Sequence, residues 1–140
     1  MKKVLLATAL ACMSLTQVDA AEQKIIRIST DNTDLVLQVA PNGRLYQSYF
    51  GEKLLHENDL KNLPWNIHAG SDGSVTPRGW EVYSGSGNED YFEPAIAVTH
   101  SDGNPSTYLY YVSSSTQQVE GGTQTTINLR DDKYPVDVTL

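Results

Sequence analysis

The fold class is decided by residues 34–50, which read DLVLQVAPNGRLYQSYF. Apolar and polar residues alternate on both sides of the Asn42-Gly43 pair. An alternation of period two indicates strands, and Asn-Gly readily adopts the positive φ angles of tight turns. We therefore predict a β-hairpin in which Asp34–Ala40 pairs with Arg44–Phe50.

The same alternation recurs along the rest of the chain. Ala95–His100 and Thr107–Ser113 flank Asp102-Gly103 and predict a second hairpin. Thr125–Arg130 and Val136–Leu140 predict another strand pair. Many short strands separated by turns are typical of a two-layer arrangement. The sequence therefore predicts an all-β fold, an antiparallel β-sandwich of supersandwich-like type that is incomplete at its C-terminal end.

Three segments depart from this pattern. Glu52–Leu63 has the apolar spacing of one or two helical turns, which Pro64 would end. Ser113–Gln118 is wholly polar and predicts a loop or an edge. His56–Glu93 has no sustained period, although it contains both tryptophans. Irregular segments of that length are usually functional or disordered.

Residues 1–20 have the composition of a secretory signal peptide, in which Lys2-Lys3 precede an apolar run and the small residue Ala20. A lipoprotein signal acylated at Cys12 is the alternative, and it fits poorly because its leader would be short. The apolar run is also too short to span a bilayer. We expect cleavage after Ala20, a mature domain of residues 21–140, a periplasmic or secreted location and no membrane attachment.

Composition and charge limit the partners that the mature domain can have. Cys12 is the only cysteine, so a hydrophobic core rather than disulfides must hold the domain. The net charge of −7 argues against nucleic acid, because binding phosphates requires a basic face. His56, His68 and His100 lack the spacing of metal ligands. We therefore expect no metal and no other cofactor.

Four acidic residues surround a glycine-rich stretch: Glu81, Glu89, Asp90 and Glu93. Paired carboxylates serve glycoside hydrolysis, but carboxylates also crowd solvated turns, and we expect none of these four to be catalytic. Gly85-Ser86-Gly87 is not followed by the helix of a dinucleotide-binding motif, so its glycines are expected to permit a sharp turn. Glu93-Pro94 predicts the start of a strand, where proline is tolerated.

Aromatic residues of the irregular segment are the candidate sugar-binding residues, namely Trp65, Trp80 and Tyr83. Exposed aromatic faces stack well on sugar rings and contribute strongly to recognition. The alternative is that these side chains anchor the segment against the sandwich. The sequence leaves both interpretations open.

Several short segments of the mature chain occur in a characteristic order and spacing. They are Leu45–Leu55, Gly85–Gly87, Phe92–Ala95, His100–Gly103, Tyr110–Ser113, Thr126–Asp131 and Val136–Leu140. Together they resemble the amino-terminal domain of family 36 glycoside hydrolases, the α-galactosidases. The resemblance extends over nearly the whole mature chain.

The resemblance implies an enzyme with an amino-terminal β-sandwich, a central β/α barrel and a carboxy-terminal β domain. Such enzymes hydrolyse terminal α-galactosyl residues with retention of configuration, and two barrel aspartates act as nucleophile and as acid/base. The chain ends before any barrel, so no catalytic residue is carried over and the α-galactoside would be met through the barrel. In tetrameric members a loop of this domain reaches a neighbouring subunit. The corresponding residues 56–83 depart from the family pattern, and a homo-oligomer through them is an expectation.

Three functions remain open from the sequence. The chain is the non-catalytic leading part of an exported α-galactosidase, or it is a free-standing exported carbohydrate-binding sandwich that uses Trp65 and Trp80. A third alternative is a structural subunit that offers a sheet edge to a partner strand.

Overall fold

The computed structural model describes residues 24–63, 67–69, 77–79, 81–87 and 94–140. The described strands form two three-stranded antiparallel sheets, ordered β1-β2-β3 and β6-β7-β8, and a separate antiparallel pair, β4-β5. The prediction of an all-β fold built from antiparallel strands is confirmed. In chain order the elements are β1 (Ile25–Ser29), β2 (Thr33–Val39), β3 (Leu45–Glu52), α1 (Glu57–Lys61), β4 (Ile67–Ala69), β5 (Pro77–Gly79), β6 (Leu109–Val119), β7 (Gly122–Asp131) and β8 (Asp137–Thr139).

The hairpin predicted in residues 34–50 is confirmed as β2 and β3. Its turn closes through hydrogen bonds from the Ala40 N–H to the Arg44 carbonyl (2.9 Å) and from the Gly43 N–H to the Ala40 carbonyl (2.8 Å). Gly43 has φ +80°, a conformation that glycine adopts without steric cost. The local turn chemistry therefore sets the register of the first sheet.

The predicted hairpin between Ala95–His100 and Thr107–Ser113 is wrong. Residues 97–100 form no strand, and Ile96 makes only an isolated parallel bridge with Gly85. The Ser86 N–H donates to the Ile96 carbonyl (2.9 Å), and the Thr107 N–H donates to the Ser86 carbonyl (3.0 Å). The Gly85–Gly87 segment thus takes the backbone groups that the hairpin would have used.

Strand β6 pairs instead with β7, through ten residue pairs and a turn at Glu120-Gly121. Gly121 has φ +84°, which suits a tight turn. Ser113–Gln118, predicted as a loop or an edge, lies within β6 at the edge of its sheet. The predicted pairing of Thr125–Arg130 with Val136–Leu140 is confirmed by β7 and β8.

One apolar layer separates the two three-stranded sheets. The strands of both sheets contribute buried side chains to it, and half-buried residues such as Ile96 and Val138 pack against this cluster. The arrangement is that of a β-sandwich, in which the inner faces of two sheets share a core. The buried residues of the cluster are Ile26, Leu37, Leu45, Leu109, Ile127 and Leu129.

The opposite face of the first sheet is also buried, at Asp34, Val36 and Gln38 of β2. Helix α1 lies within the predicted Glu52–Leu63 segment and buries Leu60. In the described part of the chain, no helix has the length and apolar character that crossing a bilayer requires.

Candidate functional site

The predicted sugar-binding residues fall mostly outside the described part of the chain. Trp65 and Trp80 both lie outside the described residues, so their stacking role stays a prediction. Tyr83 is described: it is half-buried and packs against the apolar core between the sheets. Its role in sugar binding also stays a prediction.

Glu81 is the one member of the acidic group that the structure describes, because Glu89, Asp90 and Glu93 lie outside the described residues. Its carboxylate accepts two hydrogen bonds from the Arg44 guanidinium, one of them at 2.9 Å from Nε to Oε1. Both side chains are largely buried, at 11% and 12% exposure. A bidentate pair of this kind fixes geometry as well as charge, so Glu81 fastens its segment to the first sheet.

Backbone contacts strengthen this link between the first sheet and residues 81–87. Tyr46 and Glu81 form an isolated antiparallel bridge, and the Val82 N–H donates to the Leu45 carbonyl at 3.0 Å. The sequence analysis could not pair Glu81 with Arg44, because Arg44 lies 37 positions away along the chain. A pairing at that separation leaves no local signal.

Asp34 is a fully buried carboxylate behind the first sheet. It accepts hydrogen bonds from Arg27 Nη2 (2.6 Å), from Ser29 Oγ (2.5 Å) and from the Leu54 N–H (2.7 Å). The hydrogen bond from Arg27 is the main reason that the pKa of Asp34 lies well below its usual range, and it outweighs the opposing effect of burial. Asp34 is therefore ionised at neutral pH and has no proton to give to a leaving group.

Asp131 is a second buried carboxylate, at the end of β7. Burial alone would raise its pKa, but backbone N–H groups of Lys133, Tyr134 and Tyr108 donate to it, and the pKa is lowered overall. These bonds are 2.8, 2.8 and 2.6 Å long. Asp131 therefore holds the turn between β7 and β8 and the start of β6 together.

His100 is a buried histidine packed within a polar cluster. Its ring stacks on Tyr134, with centroids 3.5 Å apart and an angle of 7° between the planes. Its Nε2 lies 3.0 Å from the Ser106 carbonyl and 3.2 Å from Thr107 Oγ1. Among the described residues, no group of three or more histidine, cysteine or acidic side chains could hold a metal ion. His100 thus joins its loop to the β7–β8 turn.

A groove of about 310 Å³ lies on the second sheet, across β6, β7 and β8. Its polar side chains bond one another: Asn128 donates to Ser113 Oγ (3.1 Å), and Thr139 Oγ1 donates to the Asn128 side-chain carbonyl (3.0 Å). Arg130 Nε donates to Asp137 Oδ1 at 2.5 Å in the same groove. These contacts link side chains of neighbouring strands.

The carboxylates of Glu81, Asp34 and Asp131 therefore share one task, which is to fasten loops and turns to the two sheets. Glu81 joins a distant segment to β3, Asp34 joins the end of β3 to β1, and Asp131 joins β7 to β6. Each carboxylate accepts two or more hydrogen bonds.

The sequence of residues 43–140 matches the Glycosyl hydrolase family 36 N-terminal domain. The chain belongs to this family. The match begins within the β2–β3 turn and continues through β3 to the end of the second sheet. It confirms the resemblance found in the sequence. No curated protein matches the chain.

A solved structure shares the fold of this chain. The α-galactosidase from Lactobacillus brevis superposes with a TM-score of 0.65 at 18% sequence identity. The likeness covers 83% of this chain and 19% of that chain. This chain of the family 36 N-terminal domain thus spans about a fifth of that enzyme, and at this identity the likeness concerns the fold alone.

Proposed function

We propose that this chain supplies the non-catalytic amino-terminal β-sandwich of an exported α-galactosidase. The observation that carries the proposal is the family match over residues 43–140, in a fold that an α-galactosidase shares. Hydrolysis of the terminal α-galactosyl residue then takes place in a catalytic barrel outside this sequence. The sandwich provides a rigid platform against which that barrel packs.

The state of the buried carboxylates supports a scaffold role. A retaining glycosidase needs two carboxyl groups about 5–5.5 Å apart, one of which must carry a proton to protonate the leaving group. Asp34 and Asp131 both have lowered pKa values and are occupied by hydrogen-bond donors. Neither carboxyl group suits the role of general acid.

Export is part of the proposal and rests on residues 1–20. The basic start, the apolar run and the small residue Ala20 support a cleaved signal peptide. The amino-terminal sequence of the protein isolated from the source cells tests this part. A first residue at Ala21 is expected, and a protein that begins at Met1 would contradict it.

Immunodepletion tests the enzyme assignment. Antiserum raised against residues 21–140 is added to the exported protein of source cells grown on an α-galactoside. We expect it to remove α-galactosidase activity and to precipitate a polypeptide much longer than this chain, while pre-immune serum leaves the activity in solution. Precipitation of the antigen with the activity undiminished would contradict the proposal.

A tryptophan fluorescence titration separates this proposal from a free-standing carbohydrate-binding protein. If Trp65 and Trp80 form a stacking platform, the emission of the purified chain changes saturably with a galactoside. The scaffold proposal expects no saturable change. The Trp65→Phe and Trp80→Phe variants assign any change that is seen to one ring.

A further inference from the structure

The β6–β7 hairpin extends past the apolar core as a polar arm, defined here as Ser113–Asn128. All residues from 115 to 124 are exposed. The last core side chain before the tip is Ile127 of β7. A two-stranded ribbon without an apolar face has little stability of its own in water. Contact with another chain would therefore stabilise the arm.

Hydrogen bonds of the second sheet identify which backbone groups of the arm face its outer edge. Ile127 exchanges both of its backbone bonds with Leu140, on the β8 side of β7. Backbone groups alternate between the two sides of a strand, so Thr126 and Asn128 point to β6. By the same rule, the backbone groups of their partners Ser115 and Ser113 point to β7.

The alternate residues of β6, Ser114, Thr116 and Gln118, therefore direct their N–H and C=O groups away from β7. The Tyr111 N–H confirms this direction at the base of the strand, because it donates outward to the Gly43 carbonyl (2.9 Å). The irregularity between Tyr111 and Ser113 shifts the alternation by one residue. Beyond it, the outer edge of β6 forms no strand pairing with the described residues.

This edge lacks the features that normally prevent strands from pairing between molecules. Edge strands are usually protected by charged side chains, by proline or by short length. The arm contains a single ionisable side chain, Glu120 at the turn, and no proline. The whole protein has a net charge of −7, so two copies meet with least repulsion along this arm.

We propose that the outer edge of β6 pairs with the same edge of a second copy of this chain, antiparallel and about a two-fold axis at Thr116. In this register Thr116 faces Thr116 of the other copy, and Ser114 faces Gln118. Ser114, Thr116 and Gln118 direct their N–H and C=O groups to this edge, so facing residues of the two copies exchange backbone hydrogen bonds. The two second sheets become one continuous sheet.

The symmetry of the strand itself favours a second copy as the partner. Ser113–Val119 extends equally to both sides of Thr116, between the irregularity at its base and the turn at its tip. Glu120 then lies opposite Val112 of the other copy, rather than opposite the other Glu120. Facing threonine pairs across antiparallel strands are favourable. The contact involves only one strand edge of each copy, and small interfaces are typical of weak complexes. The dimer therefore forms reversibly.

Sedimentation velocity over about a hundredfold range of concentration tests the proposal, because a reversible dimer depends on mass action. The Thr116→Pro variant removes an outward N–H and should keep the chain monomeric, since proline is tolerated on an open edge. Thr125→Pro is the matched control: Thr125 faces Thr116 within the arm, but its N–H points to the opposite edge. It should leave the dimer intact.

Two results would overturn the proposal. A wild-type monomer at every concentration, or a dimer that Thr125→Pro removes and Thr116→Pro does not, rules this edge out. A dimer that both variants keep assigns the contact to another surface, such as residues 56–83. Circular dichroism confirms that each variant is folded before it is compared.

A charge exchange keeps the test valid if proline disturbs the fold. Thr116→Glu and Thr116→Lys each place like charges opposite each other on the axis, so each variant alone should be monomeric. Their mixture should form a heterodimer more readily than the wild type forms its dimer. Failure of the mixture to associate, while the wild type dimerises, would contradict the proposed register. These outcomes do not depend on the α-galactosidase assignment.

Discussion

Two salt bridges of this protein differ in burial, and this difference decides what each contributes. Asp34 is fully buried, with Arg27 and two further donors around it. Arg130 and Asp137 form their pair at 63% and 62% exposure. Exposed pairs add little to stability, whereas removing one partner of a buried network leaves polar groups unsatisfied.

Replacing Asp34 by alanine should therefore lower the melting temperature by about 10 °C or more. The reason is that Arg27, Ser29 and the Leu54 N–H lose their common acceptor. Asp137→Ala is the control, and its expected decrease is at most about 2 °C. Thermal unfolding followed by circular dichroism measures both values. Equal effects of the two substitutions would contradict the role given to Asp34.

Asp34 should contribute to the pH dependence of the free energy of unfolding. Its pKa is lowered in the folded protein, so its stabilising contribution is complete above about pH 5, where an unfolded aspartate is also ionised, and is lost progressively as the pH falls toward the lowered pKa of the folded protein. Urea unfolding at about pH 7 and pH 3 should thus show a larger loss for the wild type than for Asp34→Asn. Equal losses would show that other groups dominate.

Gly85 and Gly122 make a second matched pair at the scale of single residues. A Cβ atom at Gly85 would lie 2.0 Å from the Thr107 carbonyl oxygen, whereas one at Gly122 would meet nothing within 4 Å. Gly85→Ala should lower the melting temperature by about 10 °C, because the backbone must move apart. Gly122→Ala should change it by at most about 2 °C. Thermal unfolding decides, and a tolerated Gly85→Ala would contradict the close packing described here.

At the scale of strands, the sequence predicted those pairings that a local turn determines. The Asn42-Gly43 turn and the alternation around it fixed β2 and β3, and the pairing of β7 with β8 followed from period two alone. The hairpin predicted at Ala95–His100 failed because two strand-like runs compete for Thr107–Ser113. The nearby Asp102-Gly103 turn favoured Ala95–His100 as the partner, whereas the strand pairs with β7. The register of β6 with β7 extends through the polar arm.

Loop attachments between distant parts of the chain could not be predicted in this way. Arg44 bonds to Glu81, and His100 stacks on Tyr134, although the members of each pair lie far apart along the chain. Turn signals describe at most a few neighbouring residues. The sequence accordingly predicted the residue types of the candidate site and the sharp turn at Gly85–Gly87, but not the partners of the buried charges.

The layer between the sheets allows a quantitative prediction at the same scale. Leu129 is 2% exposed within the core cluster, whereas Val112 of the neighbouring strand is 52% exposed. Leu129→Ala should reduce the free energy of unfolding by about 2–4 kcal/mol, because it removes buried methyl groups and leaves a cavity. Val112→Ala should cost at most about 0.5 kcal/mol. Urea unfolding measures both, and similar values would show that the sheets do not pack as described.

The whole molecule combines a sandwich of two packed sheets with a polar arm that extends past the core. Its buried charges fasten loops to two sheets, and its polar arm carries a single ionisable side chain, Glu120. Family membership could be predicted from an ordered set of short segments, because their spacing extends over most of the chain. The substrate-facing contribution of Trp65 and Trp80 depends on residues outside the described part, and it stays a prediction.

The chain is a β-sandwich of the family 36 N-terminal domain, and we propose that it has no reaction centre of its own. The most direct measurement is hydrolysis of an aryl α-galactoside by the purified chain, followed through a final size-exclusion step. We expect no release of the aryl group above the buffer rate in the fractions that contain the protein. Hydrolysis that co-elutes with the protein and disappears when it is unfolded would contradict the claim.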